Sequence, residues 1–110
     1  MTPYAEIEME FLVEFKVNVP DGTAKSEVED RERAEAAAAA QLVGEGHLLR
    51  VWKRPLAHGE STIVGLYRAD SDEQLDGLLR ALPLYEWMDV AITPLEPHPN
   101  DPAAAQVTRP

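Results

Sequence analysis

Residues 82–99, LPLYEWMDVAITPLEPHP, restrict the fold of this chain more than any other stretch. Pro83 supplies no amide hydrogen and biases Leu82 away from helical angles, so the helical pattern before it has to close here. Met88, Val90 and Ile92 then alternate with Trp87, Asp89 and Ala91, which predicts a strand from Trp87 to Thr93. Pro94, Pro97 and Pro99 are expected to end regular pairing and to lead an extended tail past His98. A fold for this chain must therefore finish with a helix end, an aromatic corner, a strand and a tail.

The preceding residues supply the other elements. Phe11, Val13, Phe15, Val17 and Val19 alternate with Leu12, Glu14, Lys16 and Asn18, a first strand with one buried face. Pro20-Asp21-Gly22 is turn chemistry, and Thr23 or Ser26 can cap a helix running from about Ala24 to Val43. Gly44-Glu45-Gly46 ends that helix. His47 to Arg54 reads as a second strand, with Leu48, Arg50, Trp52 and Arg54 on one face and Leu49, Val51 and Lys53 on the other.

A loop from Pro55 to Glu60 leads to a third strand, Ser61 to Ala69. Gly65 in its middle implies either close approach by a ligand or another backbone, or a bulge. Ser71-x-x-Gln74 is a capping box, and Leu75, Leu78, Leu79 and Leu82 mark one face of a second helix. The order is βαββαβ, an α+β, ferredoxin-like arrangement. One such sheet leaves a face uncovered, so a dimer with sheets face to face is expected.

With 110 residues the chain suits one domain, placed at 9–99 between an extension at 1–8 and a flexible tail at 100–110. Met9 is an alternative start to Met1, since the first strand begins just after it. The absence of cysteine removes disulfides and thiolate catalysis and fits a cytoplasmic protein. A net charge of −10 argues against a nucleic-acid partner. No apolar run approaches the roughly 20 residues that span a bilayer, so no membrane partner is expected. His47, His58 and His98 lack metal-ligand spacing, and no phosphate-binding or dinucleotide motif is present. Neither a metal nor a cofactor is expected.

Glu35 is the residue most out of place. It lies seven residues from both Val28 and Leu42, with Ala39 beside them, which puts a carboxylate in the middle of an apolar helical stripe. It can be read as a glutamate whose stem packs while its head reaches water. It can also be read as an interior carboxylate whose proton affinity burial raises, opposed by a nearby cation such as Arg50.

Several of these residues fall in a known pattern. Leu82, Pro83, Leu84, Tyr85, Trp87, Met88, Asp89 and His98-Pro99 resemble the corresponding stretch of the muconolactone isomerase family. The resemblance extends from about Phe11 to Pro99. Glu35, Ala39, Leu42, Glu45 and Gly46 match its helix-one pattern, Trp52-Lys53 its strand-two Trp and basic residue, and Pro20 its spacing to the glutamate. The family fold implied is a dimeric α/β barrel, with a larger ring, up to a decamer, as the expected homo-oligomer.

The activity implied is a cofactor-free shift of a C=C bond in an unsaturated lactone acid, by proton transfer through a dienolate. The resemblance makes Glu35 the catalytic base; on that reading Arg50 is the candidate anion or oxyanion partner, and Trp52, Lys53, Tyr67, Tyr85 and Trp87 are candidate substrate-binding residues. The chain departs from the family at four places. Arg50 stands for a histidine, Ile63-Val64-Gly65 for Asn-x-Ser, Glu86 for a proline between the aromatics, and Asn100 and Asp101 for serines. The scaffold and the base carry over further than the substrate. Two rival readings use the same barrel: a non-catalytic ligand-binding or assembly module, and a cofactor-free monooxygenase.

Overall fold

A computed structural model of the chain describes residues 8–56 and 61–103. Residues 1–7 of the expected extension, His58 in the 55–60 loop, and positions 104–110 of the expected tail lie outside the described residues. The elements are β1 (Met9–Val17), α1 (Lys25–Gly44), β2 (Leu48–Pro55), β3 (Ser61–Ala69), α2 (Asp72–Arg80) and β4 (Met88–Leu95), with a 3-10 turn at Tyr85–Trp87. The four strands form one antiparallel sheet in the order β2-β3-β1-β4. This is the expected ferredoxin-like α+β fold. No helix among the described residues is long and apolar enough to cross a membrane.

Directly opposed residues in an antiparallel pair point to the same side, so register assigns the two faces. Phe11 lies opposite Tyr67 and Pro94, Val13 opposite Gly65 and Ile92, and Phe15 opposite Ile63 and Val90. That face carries the core, where Phe11, Val13, Phe15 and Tyr67 are buried with Leu42 of α1 and Leu75 and Leu79 of α2. Val17 and Val19, expected on the same buried face, are exposed because β1 ends at Val17 and the chain leaves the sheet. The other face bears Leu12, Val64 and Leu66 and has no helix over it.

The second strand departs from strict alternation. A register irregularity between Leu48 and Arg50 places Leu48 opposite Tyr67 but Arg50 opposite Leu66. Leu48 is therefore buried beneath the helices, while Arg50, Trp52 and Arg54 take the open face. The expected sharing of one face by all four fails at this extra residue. Pro94 does not end pairing either: it lies opposite Phe11 and β4 continues to Leu95, because an edge strand tolerates a residue without an amide hydrogen.

Gly65 sits in register between Val13 and Val51, so it is not a bulge. A Cβ there would come within 2.7 Å of Tyr67 Cε1. The close approach that the glycine accommodates is the ring of Tyr67, two residues along its own strand.

The helix ends are built unequally. Ser71 Oγ accepts the Gln74 amide at 3.0 Å and Gln74 Oε1 accepts the Asp70 amide at 2.7 Å, so α2 has its expected cap. At α1 both expected caps fail. The N-cap is Ala24 with no side-chain bond, Thr23 Oγ1 donates instead to Pro20 O at 2.6 Å, and Ser26 lies within the first turn. The far end of α1 is orderly: Gly46 adopts φ 82°, Gly46 N donates to Val43 O and His47 N to Leu42 O at 2.9 Å.

Candidate active site

The inward side of α1 carries Val28, Arg31, Glu35, Ala38, Ala39 and Leu42, at helical spacing. Two of these six are charged, which is unusual for a stripe that packs on a sheet. Glu35 is half-buried, and its Oε1 accepts the Leu84 amide at 3.0 Å. Burial raises its pKa above the ordinary 4.5, and the Leu84 hydrogen bond opposes that rise. It is this amide, and not Arg50, that favours the charged form. Each reading of Glu35 holds in part: the side chain is only half withdrawn from water, and its head is tied to backbone.

Tyr67 faces the helix from β3 and is only 4% exposed. Its ring lies over Gly65 and meets Phe15 edge-on, centroids 6.1 Å apart. The phenol is pushed up to about 12, first by burial and then by the charge of Glu35. Carboxylate and phenol are therefore within electrostatic reach across the interface between α1 and the sheet.

Residues 82–87 form the wall of the site nearest Glu35. Trp87 was expected at the head of the last strand, on the face of Asp89 and Ala91. It lies instead in the 3-10 turn and is buried, because Trp87 N bonds Leu84 O at 2.9 Å and curls the chain before β4 begins. Arg31 stacks its guanidinium 4.3 Å from the centre of the Trp87 ring and donates to Pro83 O at 3.2 Å. It also pairs with Glu86, and with Glu27 at 3.4 Å. Tyr85 is half-buried against the core with the Arg80 guanidinium over its ring.

Arg31 is the residue that the sequence reading missed. Its signal was available, since it lies three residues after Val28 and four before Glu35 on the apolar line.

The remaining expected site residues separate. Lys53 lies opposite Ile63, on the helix-bearing side of the sheet with Tyr67. Arg50 and Trp52 lie on the open side, the guanidinium 4.8 Å from the centre of the indole ring. Within one protomer the sheet stands between that pair and Glu35. Among the described residues no three His, Asp or Glu side chains converge as a metal site would require.

The fold and site define a ferredoxin-like domain holding a half-buried carboxylate between its long helix and its sheet. A family model described as muconolactone delta-isomerase matches residues 9–101. The chain belongs to the muconolactone delta-isomerase family. It is 32% identical over 92 residues to the muconolactone delta-isomerase of Cupriavidus pinatubonensis, covering 84% of this chain and 97% of that one. It is 29% identical to muconolactone delta-isomerase 1 of Acinetobacter lwoffii, covering 84% and 93%. A crystal structure of muconolactone isomerase superposes with a TM-score of 0.73 at 26% identity, over 86% of this chain and 95% of that one.

Proposed function

We propose that this protein is an isomerase that shifts a C=C bond in an unsaturated lactone acid, with Glu35 as the proton carrier. The observation that carries this reading is the Glu35 carboxylate itself. It is half-buried on an apolar stripe with its proton affinity raised, and it has one oxygen engaged by Leu84. The other oxygen, Oε2, carries no hydrogen bond among the described residues. A base of this kind removes a proton from a carbon beside the lactone carbonyl. The electron pair moves into a dienolate, and the carboxylic acid so formed returns the proton two carbons away. One C–H bond breaks, one forms, and the double bond migrates with no net oxidation.

Tyr67 supports the same reading. A phenol held protonated beside Glu35 suits donation to the developing dienolate oxygen. Lys53, on the same side of the sheet, is the better placed cation for the substrate carboxylate within a protomer. Tyr85 and Trp87 form the wall around Leu84. The test is isomerisation of a lactone acid in deuterated water. The wild type should wash solvent deuterium into substrate and product, and Glu35→Gln should not. Deuterium appearing at the wild-type rate in that variant removes Glu35 from the role.

The reading includes a homo-oligomer. On the open face Leu12, Val64 and Leu66 are half-buried and Trp52 is 41% exposed. Ion pairs flank them, Arg54 with Glu14 at 3.4 Å and Arg68 with Glu10 at 2.8 Å. A second copy laid face to face would cover the apolar centre and engage Arg50 and Trp52 at the interface. Light scattering at micromolar concentration should give a dimer or a ring built from dimers. A stable monomer would remove this part of the proposal.

A further inference from the structure

The carbonyl of Pro83 and the amide of Leu84 belong to one peptide group, and α1 holds both ends of it. Arg31 Nη1 donates to the carbonyl oxygen at 3.2 Å. One helical turn further on, Glu35 Oε1 accepts the amide at 3.0 Å. In a trans peptide these two groups point in opposite directions, so fixing the carbonyl also fixes where the N–H points. The guanidinium that does this is itself held, over the Trp87 ring at 4.3 Å and in an ion pair with Glu86.

We propose that Arg31 is a positioning residue for the base: it locks the Pro83–Leu84 peptide so that its N–H stays on the Glu35 carboxylate. The Arg31–Glu86 pair then does by charge what the family resemblance assigns to a proline at position 86, stiffening the corner. This rests on Glu35 being the base. The groups around Glu35 are the Leu84 amide that it accepts, Tyr67 from β3, and Arg31 one turn earlier on its own helix, itself paired with Glu86 on the corner. Of these, only Arg31 touches both the peptide and the corner's acid. An arginine is needed because its Nη1 takes both the Pro83 carbonyl and the Glu86 carboxylate while Nη2 pairs with Glu27 and the flat guanidinium stacks on Trp87. The ammonium of lysine is a single point without that plane.

The experiment follows the Glu35 carboxyl by carbon-detected NMR titration, and the Leu84 amide by hydrogen exchange, in Arg31→Lys, Arg31→Met and Glu86→Gln. Arg31→Lys keeps the charge and loses the flat guanidinium. The Glu35 midpoint should move to higher pH, because the bond opposing burial is weakened. The Leu84 amide should exchange roughly fivefold faster, the factor that one hydrogen bond of about 1 kcal/mol supplies. Glu86 is exposed, so Glu86→Gln keeps the fold and should shift both readouts in the same direction by less.

Unchanged exchange at Leu84 in both Arg31→Lys and Glu86→Gln overturns the proposal. So does a Glu35 midpoint that moves in Arg31→Met alone, which would be the loss of a nearby charge. None of these readouts needs turnover. Failure of the lactone test would therefore leave them standing, and failure here would leave Glu35 as the base.

Discussion

The two helices lie on the same sheet and are built to opposite ends. α2 is nine residues long, capped by Ser71, with Asp72 and Glu73 in its first turn and Arg80 in its last. Apart from the capping Gln74, its inward residues are the leucines Leu75, Leu78 and Leu79. α1 has twenty residues, no side-chain cap, no basic residue in its last turn and one buried side chain, Leu42. Its inward line spends two positions on Arg31 and Glu35. Where local rules all agree, as in α2, the element is there to pack, and where they are broken without local compensation the element carries a site. The comparison predicts that damage to α2 costs the fold, whereas damage to the charged line of α1 costs chemistry.

The largest expected effect tests the α1 side. Glu35→Gln keeps the shape and the acceptor for Leu84 but cannot carry a proton. Turnover of a lactone acid should fall by roughly 10²–10⁴, the usual contribution of a general base. Stability should move the other way. The folded pKa of Glu35 is raised, so its protonated form favours the native state below the ordinary 4.5. That contribution is lost as pH rises through the folded midpoint. Thermal melts of the wild type should decline across this window, and those of Glu35→Gln should decline less. A variant that loses activity and unfolds would erase the distinction between the helices.

The next effect tests α2. Leu79 is fully buried in the core, and Leu79→Ala should cost about 2–5 kcal/mol in denaturant unfolding. Turnover per folded molecule should be unchanged. A loss well below this range would mean that α2 is not the packing element.

Gly65→Ala falls between the two. The new methyl would meet Tyr67 Cε1 at 2.7 Å, and a ring edge buried against Phe15 has little room to move. Crowding of this kind typically costs about 1–3 kcal/mol. Because the displaced ring is the one facing Glu35, turnover should fall as well, and Gly65→Ala with Tyr67→Phe should recover neither. Tyr67→Phe alone should flatten the loss of stability between pH 10 and 12, since a phenol raised to about 12 stabilises the fold only while protonated. Unaltered melts over that range would show the phenol to be ordinary.

How far the sequence could be read follows the same division. The periods of two and 3.6 and the Ser71 cap were enough for the element order and α2, and seven-residue spacing was enough to put Glu35 on the inward line of α1. What escaped was set by single residues acting through tertiary contacts. The extra residue between Leu48 and Arg50 leaves no periodic trace, and it separates Leu48 from Arg50, Trp52 and Arg54. The turn at Tyr85–Trp87 is too short to show a period. Arg31 stands on the apolar line of α1, but no periodic pattern shows the corner that it holds.

The smallest expected effect asks whether the poor cap of α1 is neglect or design. Ala24 stands at the N-cap with extended angles, φ −63° and ψ 140°, which serine or asparagine adopts freely. Ala24→Ser should add about 0.5–1 kcal/mol to unfolding stability by accepting an orphan amide of the first turn. Aspartate is the poorer choice, because Glu27 and Glu29 already crowd that end and the chain carries a net charge of −10. The position is about three turns from Glu35, so a merely uncapped helix predicts more stability with unchanged turnover. If the cap stabilises the protein and slows turnover together, the loose start of α1 is part of how Arg31 and Glu35 admit substrate to the corner. The contrast between the helices would then extend from their inward faces to their ends.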